Sequence, residues 1–289
     1  MPVASTREIV TTARDEGYAI AAVNVVDDLS VRAVVAAAEQ VGAPVILQTS
    51  VKTLRQSGFE LFAAIVHTVA SRAEVPVALH LDHCPYRDVI SAALAAGWSS
   101  VLFDASDRPY AVAHAETAEV VAEAHAVGAS VEAEIENITG VEDGIGSDEE
   151  LEPYPVEQLV AFAHETGADL LAPALGTAHG VYKSAPRLLV DRAEALRALT
   201  DLPLVLHGGT GLQAEDFAAF IAAGVGKINV STALKLAYMK TAAAHLEACA
   251  VSGKYEPVKL FDAIAAAVSA EIAPHLEMFG GADRVKVTR

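Results

Sequence analysis

Ala22-Val23-Asn24-Val25-Val26-Asp27 closes the first strand-like run of the chain and leads into its first helical pattern, and it contains no glycine. Two architectures compete at this point. An open, doubly wound sheet favours a GxGxxG turn directly after the first strand, whereas a closed barrel makes no such demand. Working outward, the chain repeats one unit, a short apolar run followed by a longer helical pattern. Strands are predicted at Ala19–Val23, Val45–Gln48, Val77–Leu81, Ser100–Phe103, Ser130–Ile135, Leu170–Pro173, Leu204–Leu206 and Lys227–Val230. These runs are nearly continuous in apolar residues, as strands buried on both faces must be. Helices are predicted at Leu29–Val41, Phe59–Ser71, Ala111–Ala126, Arg187–Leu199 and Ala214–Ala223, and Gly42, Gly97, Gly128 and Gly224 stand where helices end. Alternation of this kind means a parallel sheet, because parallel strands need crossover connections. Eight such units close a (β/α)₈ TIM barrel, which is the predicted fold of this α/β chain. Residues beyond Thr232 are helical in pattern with no further strand, so extra C-terminal helices are expected. The expected organisation is one domain over 1–289, with the barrel to about residue 250, a helical extension over about 251–289 and a loose ending, GGADRVKVTR.

Composition excludes several function classes. The 289 residues are 53% hydrophobic and 20% charged, which argues against disorder. A net charge of −18 with no basic stretch argues against nucleic acid or an anionic membrane surface as partner. Uninterrupted apolar runs reach six residues, as in Ala33–Ala38, far short of the roughly 20 that span a bilayer. The first residues, MPVASTREIV, have no apolar signal core, and two cysteines, Cys84 and Cys249, make no disulfide framework. A cytoplasmic setting is expected.

Barrel chemistry sits where the strands end, on the C-terminal face. The residues at or just past the predicted strand ends are Asn24, Ser50, Asp82 with His83, Asp104 with Ser106, Glu134, His179, His207 and Asn229. A polar group follows nearly every apolar run, so one convergent site is expected. His83, His179 and His207 lie on three different units, and three protein ligands with an open fourth position is the arrangement of catalytic zinc. Any one of them alone is more simply a hydrogen-bonded core or loop histidine; three together are not. His80 reads as structural, and His67, His114, His125, His164, His245 and His275 fall in helical patterns. Asp82 either exchanges a proton with a substrate hydroxyl or orients a metal-bound histidine, and proton transfer is the favoured role.

The stretch Glu132–Glu157 holds ten acids and neither Lys nor Arg. Alternation puts Glu132 and Glu134 on one strand face, toward the lumen. The segment after it, TGVEDGIGSDEELEPYP, reads as a long loop, which in a compact domain is commonly a lid. Within it Glu142, between Gly140 and Gly144, is the acid best placed to reach the site as a base. Glycine-rich turns follow the sixth and seventh strands, Gly176–Gly180 and His207–Gly211, and the eighth runs Asn229-Val230-Ser231-Thr232 into a helix. Barrels bind phosphate at such loops through backbone N–H groups and a helix N-terminus. Lys183 adds a positive charge to them.

The segments AVNVV, LHLDHC, SVLFDAS, VEAEIENITGVEDG, GTAHGVYK, VLHGGTGL and KINVST, in this order from Asn24 to Thr232, resemble the class II, metal-dependent ketose-bisphosphate aldolases, the fructose/tagatose-bisphosphate group. The resemblance implies Zn²⁺ on His83, His179 and His207, with Glu134 and Asp104 near a second or alternate divalent position. It implies Asp82 at the proton of the C4 hydroxyl and Glu142 as the base for the C3 proton of dihydroxyacetone phosphate. Gly180, Lys183, Gly208, Gly209, Thr210, Asn229, Ser231 and Thr232 would hold the 1-phosphate or the enediolate. Gly180 and Thr210 would also take a monovalent cation, Na⁺ or K⁺, and Asn24 and Ser50 would contact substrate. The implied partners are a phosphorylated ketose, or dihydroxyacetone phosphate plus an aldehyde, and a second copy in a homodimer or homotetramer.

Three departures from the family pattern stand out. Glu136 and Thr139 replace glycines at the hinge of the acidic loop, Glu256-Pro257-Val258 replaces Asp-Pro-Arg, and Ala233 stands where an acid is common. Val258 cannot make the bidentate arginine contact that the family associates with the far phosphate. Weaker selection for a 6-phosphate is therefore expected, with a different aldehyde partner open. A zinc hydrolase on the same barrel would leave the phosphate turns and Glu142 without purpose. A Schiff-base mechanism on Lys227 or Lys183, or a catalytically silent barrel, remain as rivals for experiment.

Overall fold

The computed structural model describes residues 3–147, 149, 151–180 and 186–285. Eight parallel strands close the expected barrel: β1 (Ile20–Asn24), β2 (Val45–Ser50), β3 (Val77–Cys84), β4 (Ser100–Asp104), β5 (Ser130–Glu134), β8 (Leu170–Leu171), β9 (Leu204–Leu206) and β10 (Val225–Val230). Between β5 and β8 lies a separate antiparallel hairpin of β6 (Gly140–Glu142) and β7 (Ile145–Ser147). The surrounding helices are α2 (Asp28–Val41), α3 (Val51–Ser57), α4 (Phe59–Ala70), α5 (Arg87–Ala96), α6 (Tyr110–Ala126), α7 (Val156–Thr166), α8 (Val190–Leu199), α9 (Ala214–Ala222) and α10 (Thr232–Ser252). Helix α1 (Thr6–Asp15) precedes the barrel and α11 (Pro257–Met278) follows it.

Period-two alternation explains why the strands look uniformly apolar yet build a polar site. One face carries Ala21, Val23, Val45, Leu47, Leu79, Leu81, Val101, Val131 and Leu206 out to the helices. The other face turns inward. Its N-terminal layer is apolar, with Ile20, Ala22, Ile46, Ala78, Leu170 and Val205 closed from below by Val10 and Ala13 of α1. A Cβ on Gly226 would stand 2.9 Å from the Val10 carbonyl oxygen, so glycine is what lets α1 plug the barrel beside β10. Further up the lumen the inward residues turn polar, and all the chemistry collects at that end.

The C-terminal helix packs against the helical layer of the barrel. Ile264, Val268, Ile272 and Leu276 recur every four residues on α11, all buried, and α11 lies along α2. Burying four such side chains stabilises the docked helix by roughly 1.5–3 kcal/mol each before ordering costs.

Several boundaries differ from expectation for identifiable reasons. Strand β8 stops at Leu171, because Pro173 has no N–H to offer a ladder. Helix α8 starts at Val190 rather than Arg187. Strand β3 continues to Cys84 through a register shift between Leu81 and Cys84. The segment read as a loop contains the β6–β7 hairpin, whose turn residues Asp143 (φ 50°) and Gly144 (φ 90°) both adopt left-handed conformations. Asp-Gly with two positive φ values is the two-residue turn that matches strand twist. That dipeptide was legible in the sequence, and its flanks were too polar to suggest strands.

Candidate functional site

In a regular strand Asp82 and His83 would point to opposite faces. The β3 irregularity prevents this. His83 takes φ 34°, a left-handed conformation that side chains rarely adopt, and both residues are buried at the barrel mouth. Backbone strain of this kind costs about 1–3 kcal/mol and tends to persist at functional positions.

Three imidazoles converge there from β3, the turn after β8 and the end of β9. The ligand atoms of His83, His179 and His207 lie within 4.8 Å of one another, and so do those of His83, Asp104 and Glu134. His83 Nε2 and His207 Nδ1 are 2.8 Å apart. The other ring nitrogens are directed by carboxylates: His207 Nε2 lies 2.8 Å from Glu132 Oε1, and His83 Nδ1 lies 3.4 Å from Asp104 Oδ2 and 3.6 Å from Glu134 Oε2. A carboxylate behind the His83 and His207 imidazoles leaves the opposite nitrogen's lone pair for a cation. Glu134 Oε2 is buried and, among the described residues, has no hydrogen-bond partner.

The electrostatics point the same way. Burial opposes a charge on His83, but Glu134, Asp82 and Asp104 outweigh it and hold the imidazole well above its usual range. Burial and the His83 charge push His207 well below its usual range and His179 down to about 3. Burial also lifts Glu134 well above the carboxylate range, helped by Asp104, Glu132 and Asp82 and opposed by His83. Clustered carboxylates around three imidazoles fit a divalent cation: nitrogen donors, a buried carboxylate oxygen and excess negative charge. The two donor groups share His83, so they describe overlapping positions.

Asp104, not Asp82, is the aspartate at the His83 Nδ1 nitrogen. Instead Asp82 accepts from Asn24 Nδ2 (2.8 Å) and Asn229 Nδ2 (3.2 Å). Burial raises its carboxyl, but His83, His207, Lys227 and the Asn24 amide together take it below the usual carboxylate range. These contacts favour the carboxylate form, which can accept a proton, at a position buried in the barrel mouth. Deeper in the lumen, Gln48 Nε2 donates to Asn24 Oδ1 (2.6 Å), and Lys227 Nζ bridges Asn229 Oδ1 (2.7 Å) and Glu132 Oε2 (2.9 Å). Lys227 is fully buried and committed to these partners, which is the wrong environment for a nucleophilic amine. His80 takes a structural place, its Nδ1 2.7 Å from Ser100 Oγ.

The turns after β9 and β10 make a cradle. Gly208 has φ 66°, and a Cβ there would collide with the Ala178 backbone, so the β8 and β9 turns touch. A Cβ on Gly209 would meet the Phe217 ring at 3.1 Å. Thr210 is half-buried beside them, and Gly180 follows His179 with φ 90°. Asn229 and Ser231 are buried, and Thr232 opens the 21-residue helix α10. Ser231 caps α10 without a side-chain cap bond, and its buried Oγ has no hydrogen-bond partner among the described residues. An open helix N-terminus beside an orphaned hydroxyl suits an anion. Lys183 lies outside the described residues.

Glu142 is the last residue of β6, but its side chain is not among those described. The hairpin is tied at its tip, where Lys235 Nζ of α10 meets Asp143 Oδ2 at 2.9 Å. Its base is tied to the turn before His179: Thr139 oxygen accepts from His179 N at 2.8 Å. Glu136, read as a departure at the loop hinge, is an anchor. Its carboxylate accepts from Tyr154 N (2.7 Å), Ala174 N (2.8 Å) and Arg192 Nη2 (2.6 Å). Sequence reasoning missed this ion pair, because nothing local links Glu136 to Arg192. Ser50 ends β2 and caps α3, its Oγ accepting from Thr53 N at 3.3 Å. Val258 is 67% exposed on the first turn of α11, outside the barrel mouth, and Lys259 beside it pairs with Glu256. Ala233 is buried at the start of α10. Among the described residues no helix is long and apolar enough to cross a membrane.

The chain is similar to known proteins over nearly all its length. The family model described as fructose-bisphosphate aldolase class-II matches residues 4–284. A Bacillus subtilis (strain 168) protein named "Probable fructose-bisphosphate aldolase" is 36% identical over 289 residues, covering 98% of this chain and 100% of that protein. The fructose-bisphosphate aldolase of Staphylococcus aureus (strain Mu50 / ATCC 700699) is 36% identical over 293 residues, covering 99% and 100%. Among solved structures, the YdjI aldolase from Escherichia coli K12 superimposes with a TM-score of 0.86 at 29% identity, covering 99% of this chain and 100% of that one.

Proposed function

Because the chain belongs to the class-II fructose-bisphosphate aldolase family, and is by that membership a carbon–carbon lyase, we propose that it reversibly cleaves a ketose 1-phosphate or ketose bisphosphate to dihydroxyacetone phosphate and an aldehyde. The observation that carries this reading is the meeting of His83, His179 and His207 within 4.8 Å beside the buried Asp82, whose carboxyl oxygens accept from Asn24 and Asn229. His83, His179 and His207 would hold Zn²⁺, with Asp104 and Glu134 at an alternate or second divalent position. A divalent ion there supplies Lewis-acid stabilisation of the charge that builds on the ketose carbonyl oxygen.

The remaining steps fall to this chain's own groups. Asp82 takes the proton of the C4 hydroxyl as the C4–O bond becomes a carbonyl. The C3–C4 electron pair passes to C3 and is shared with the C2 oxygen. Asn24 and Asn229 fix the Asp82 carboxylate in one orientation, so little reorganisation accompanies the transfer. Asn229, Ser231, Thr232, Gly208, Gly209, Thr210 and Gly180 hold the 1-phosphate and the triose oxygens, with Lys183 as a further cation. Glu142 returns the proton to C3, on a hairpin that also excludes water. Na⁺ or K⁺ at Gly180 and Thr210 belongs to the same reading, as does a cytoplasmic setting. The exposed Leu246, Val251, Tyr255 and Phe261 of the C-terminal helices and the turn between them support a homodimer or homotetramer.

The test is metal removal followed by product analysis. EDTA should abolish triose phosphate release from a ketose 1-phosphate, and zinc should restore it. Release of inorganic phosphate or an amine instead would identify a hydrolase. Trapping by borohydride with retained activity in EDTA would identify a lysine mechanism.

A further inference from the structure

We propose that Lys227 is the positioning residue that aims the Asp82 carboxylate at the substrate hydroxyl, acting through the Asn229 carboxamide. This deepens the lyase reading above and rests on it. Lys227 and Asn229 stand two positions apart on β10, so both side chains enter the lumen, with Lys227 one step below the mouth. Lys227 is fully buried. Its Nζ donates to Asn229 Oδ1 at 2.7 Å, and Asn229 Nδ2 donates to Asp82 Oδ1 at 3.2 Å. From the other side Glu132 of β5 holds the ammonium, with Oε2 2.9 Å from Nζ, and Glu132 Oε1 lies 2.8 Å from His207 Nε2. One chain of polar contacts therefore runs from the His207 imidazole to the Asp82 carboxylate, and Lys227 is its middle link.

The chemistry of the three groups makes the arrangement directional. An ammonium only donates, and a carboxylate only accepts. A carboxamide between them satisfies both in a single orientation, oxygen toward Lys227 and NH₂ toward Asp82. The ammonium also draws electron density toward Oδ1, which strengthens the bond that Nδ2 makes to Asp82. Without Lys227 the buried Oδ1 loses its donor, and the side chain gains by turning toward another, which takes Nδ2 off Asp82. Asp82 Oδ2 has a second arm: it accepts from Asn24 Nδ2 at 2.8 Å, with Gln48 Nε2 behind Asn24 Oδ1 at 2.6 Å. That arm is less constrained. Gln48 is itself a carboxamide that can present either end, and its Oε1 has no hydrogen-bond partner among the described residues. Lys227 has no acceptor to present, so it sets the direction of the support.

Neutralising the buried Glu132 is a simpler role for this lysine, and the two roles part company when Lys227 is removed. Neutralisation alone predicts a uniform loss, because the support of His207, the metal and the fold weaken together. Positioning of Asp82 predicts a selective loss. Asp82 serves the C3–C4 cleavage step, whereas exchange of the C3 proton of dihydroxyacetone phosphate involves no C4 hydroxyl.

The experiment compares, on zinc-loaded protein, kcat for cleavage with the rate of C3 proton exchange of dihydroxyacetone phosphate in deuterated water. The ketose is whichever of fructose 1-phosphate, fructose 1,6-bisphosphate and tagatose 1,6-bisphosphate the intact protein cleaves fastest. The readout is the ratio of cleavage to exchange, which cancels losses of zinc or of folded protein. K227M should lower cleavage by about 10²-fold, the scale for a catalytic group displaced by about 1 Å, and exchange by no more than about fivefold. N229A should lower the ratio as well, and adding K227M to it should change the ratio by less than about threefold, since the route through Asn229 is already cut. If K227M cannot be purified folded, E132Q/K227M removes both charges of the buried pair, and its ratio should fall at least about tenfold below that of E132Q. A ratio lowered by less than about tenfold in the Lys227 variant, or full additivity with N229A, overturns the proposal and leaves the lyase reading standing. An intact protein that cleaves none of these ketoses, or exchanges no C3 proton, overturns both.

Discussion

Replacing Glu136 by alanine removes the anchor at the base of the hairpin segment, and its cost follows from the ion pair and the two amide hydrogen bonds that the carboxylate makes. The Glu136 side chain is 2% exposed and that of Arg192 13% exposed. Without the carboxylate, the guanidinium keeps, among the described residues, only the Tyr154 carbonyl, 2.9 Å from Nη2. The amides of Tyr154 and Ala174 are left without their acceptor as well. Stranding one partner of a buried ion pair costs about 3–5 kcal/mol, and part-buried amides contribute at the lower end of about 1–3 kcal/mol each when water cannot replace the bond. A loss of about 3–5 kcal/mol in total is expected, since water reaches the half-buried amides. For a chain of this length about 2 °C accompanies each kcal/mol, so the midpoint should fall by roughly 6–10 °C. The assay is a double-mutant cycle with R192M by thermal and urea denaturation. E136A/R192M should be more stable than the sum of the single losses implies, by about 2 kcal/mol or more, because the orphaned charge has gone. A single-variant loss below about 1 kcal/mol, or strict additivity, would refute the claim that this ion pair anchors the segment.

D82N should lower kcat for cleavage by about 10²- to 10⁴-fold, because an amide cannot take the C4 proton. Exchange of the C3 proton of dihydroxyacetone phosphate with deuterated water, followed by NMR, should survive, since that step involves no C4 hydroxyl; equal loss of both would contradict the assigned role. E132Q weakens the support behind His207 Nε2 and the Lys227 ammonium, and should reduce zinc affinity by about 10- to 100-fold in a chelator competition. An affinity unchanged within threefold would remove Glu132 from that role. Burial pushes the Cys84 thiol up to about 12, so it should resist a disulfide reagent at pH 8 until the protein unfolds, as read by peptide mass mapping. Rapid labelling of Cys84 in the native state would show that the barrel mouth opens far more than its packing implies.

Much of the site was legible because barrel topology turns a one-dimensional rule into a spatial one. A residue that follows an apolar strand must lie on the C-terminal face, so Asn24, Asp82, His83, Asp104, Glu134, His207 and Asn229 could be gathered without knowing any distance. That rule gives no purchase where partners are set by contact between units. Glu136 stands out in the sequence as an anomaly at a hinge, yet it is buried against Arg192, 56 positions later. Lys227 has the chemistry of a candidate nucleophile, and the lumen binds it between Glu132 and Asn229. The Asp143-Gly144 hairpin was hidden because its strands bury little and lack the apolar alternation that marks a strand.

By itself the order of residues determined the number of β/α units, the closed parallel barrel and the set of polar groups at its mouth, because apolar periodicity and strand ends are local properties. Tertiary structure alone decided which nitrogen of each imidazole faces its neighbours, that Asp82 and His83 both point inward through a left-handed residue, and that Lys227 links the Glu132 carboxylate to the Asn229 amide. Those outcomes depend on burial and on charges brought together from distant positions, whose mutual energies exist only once the chain has closed around them.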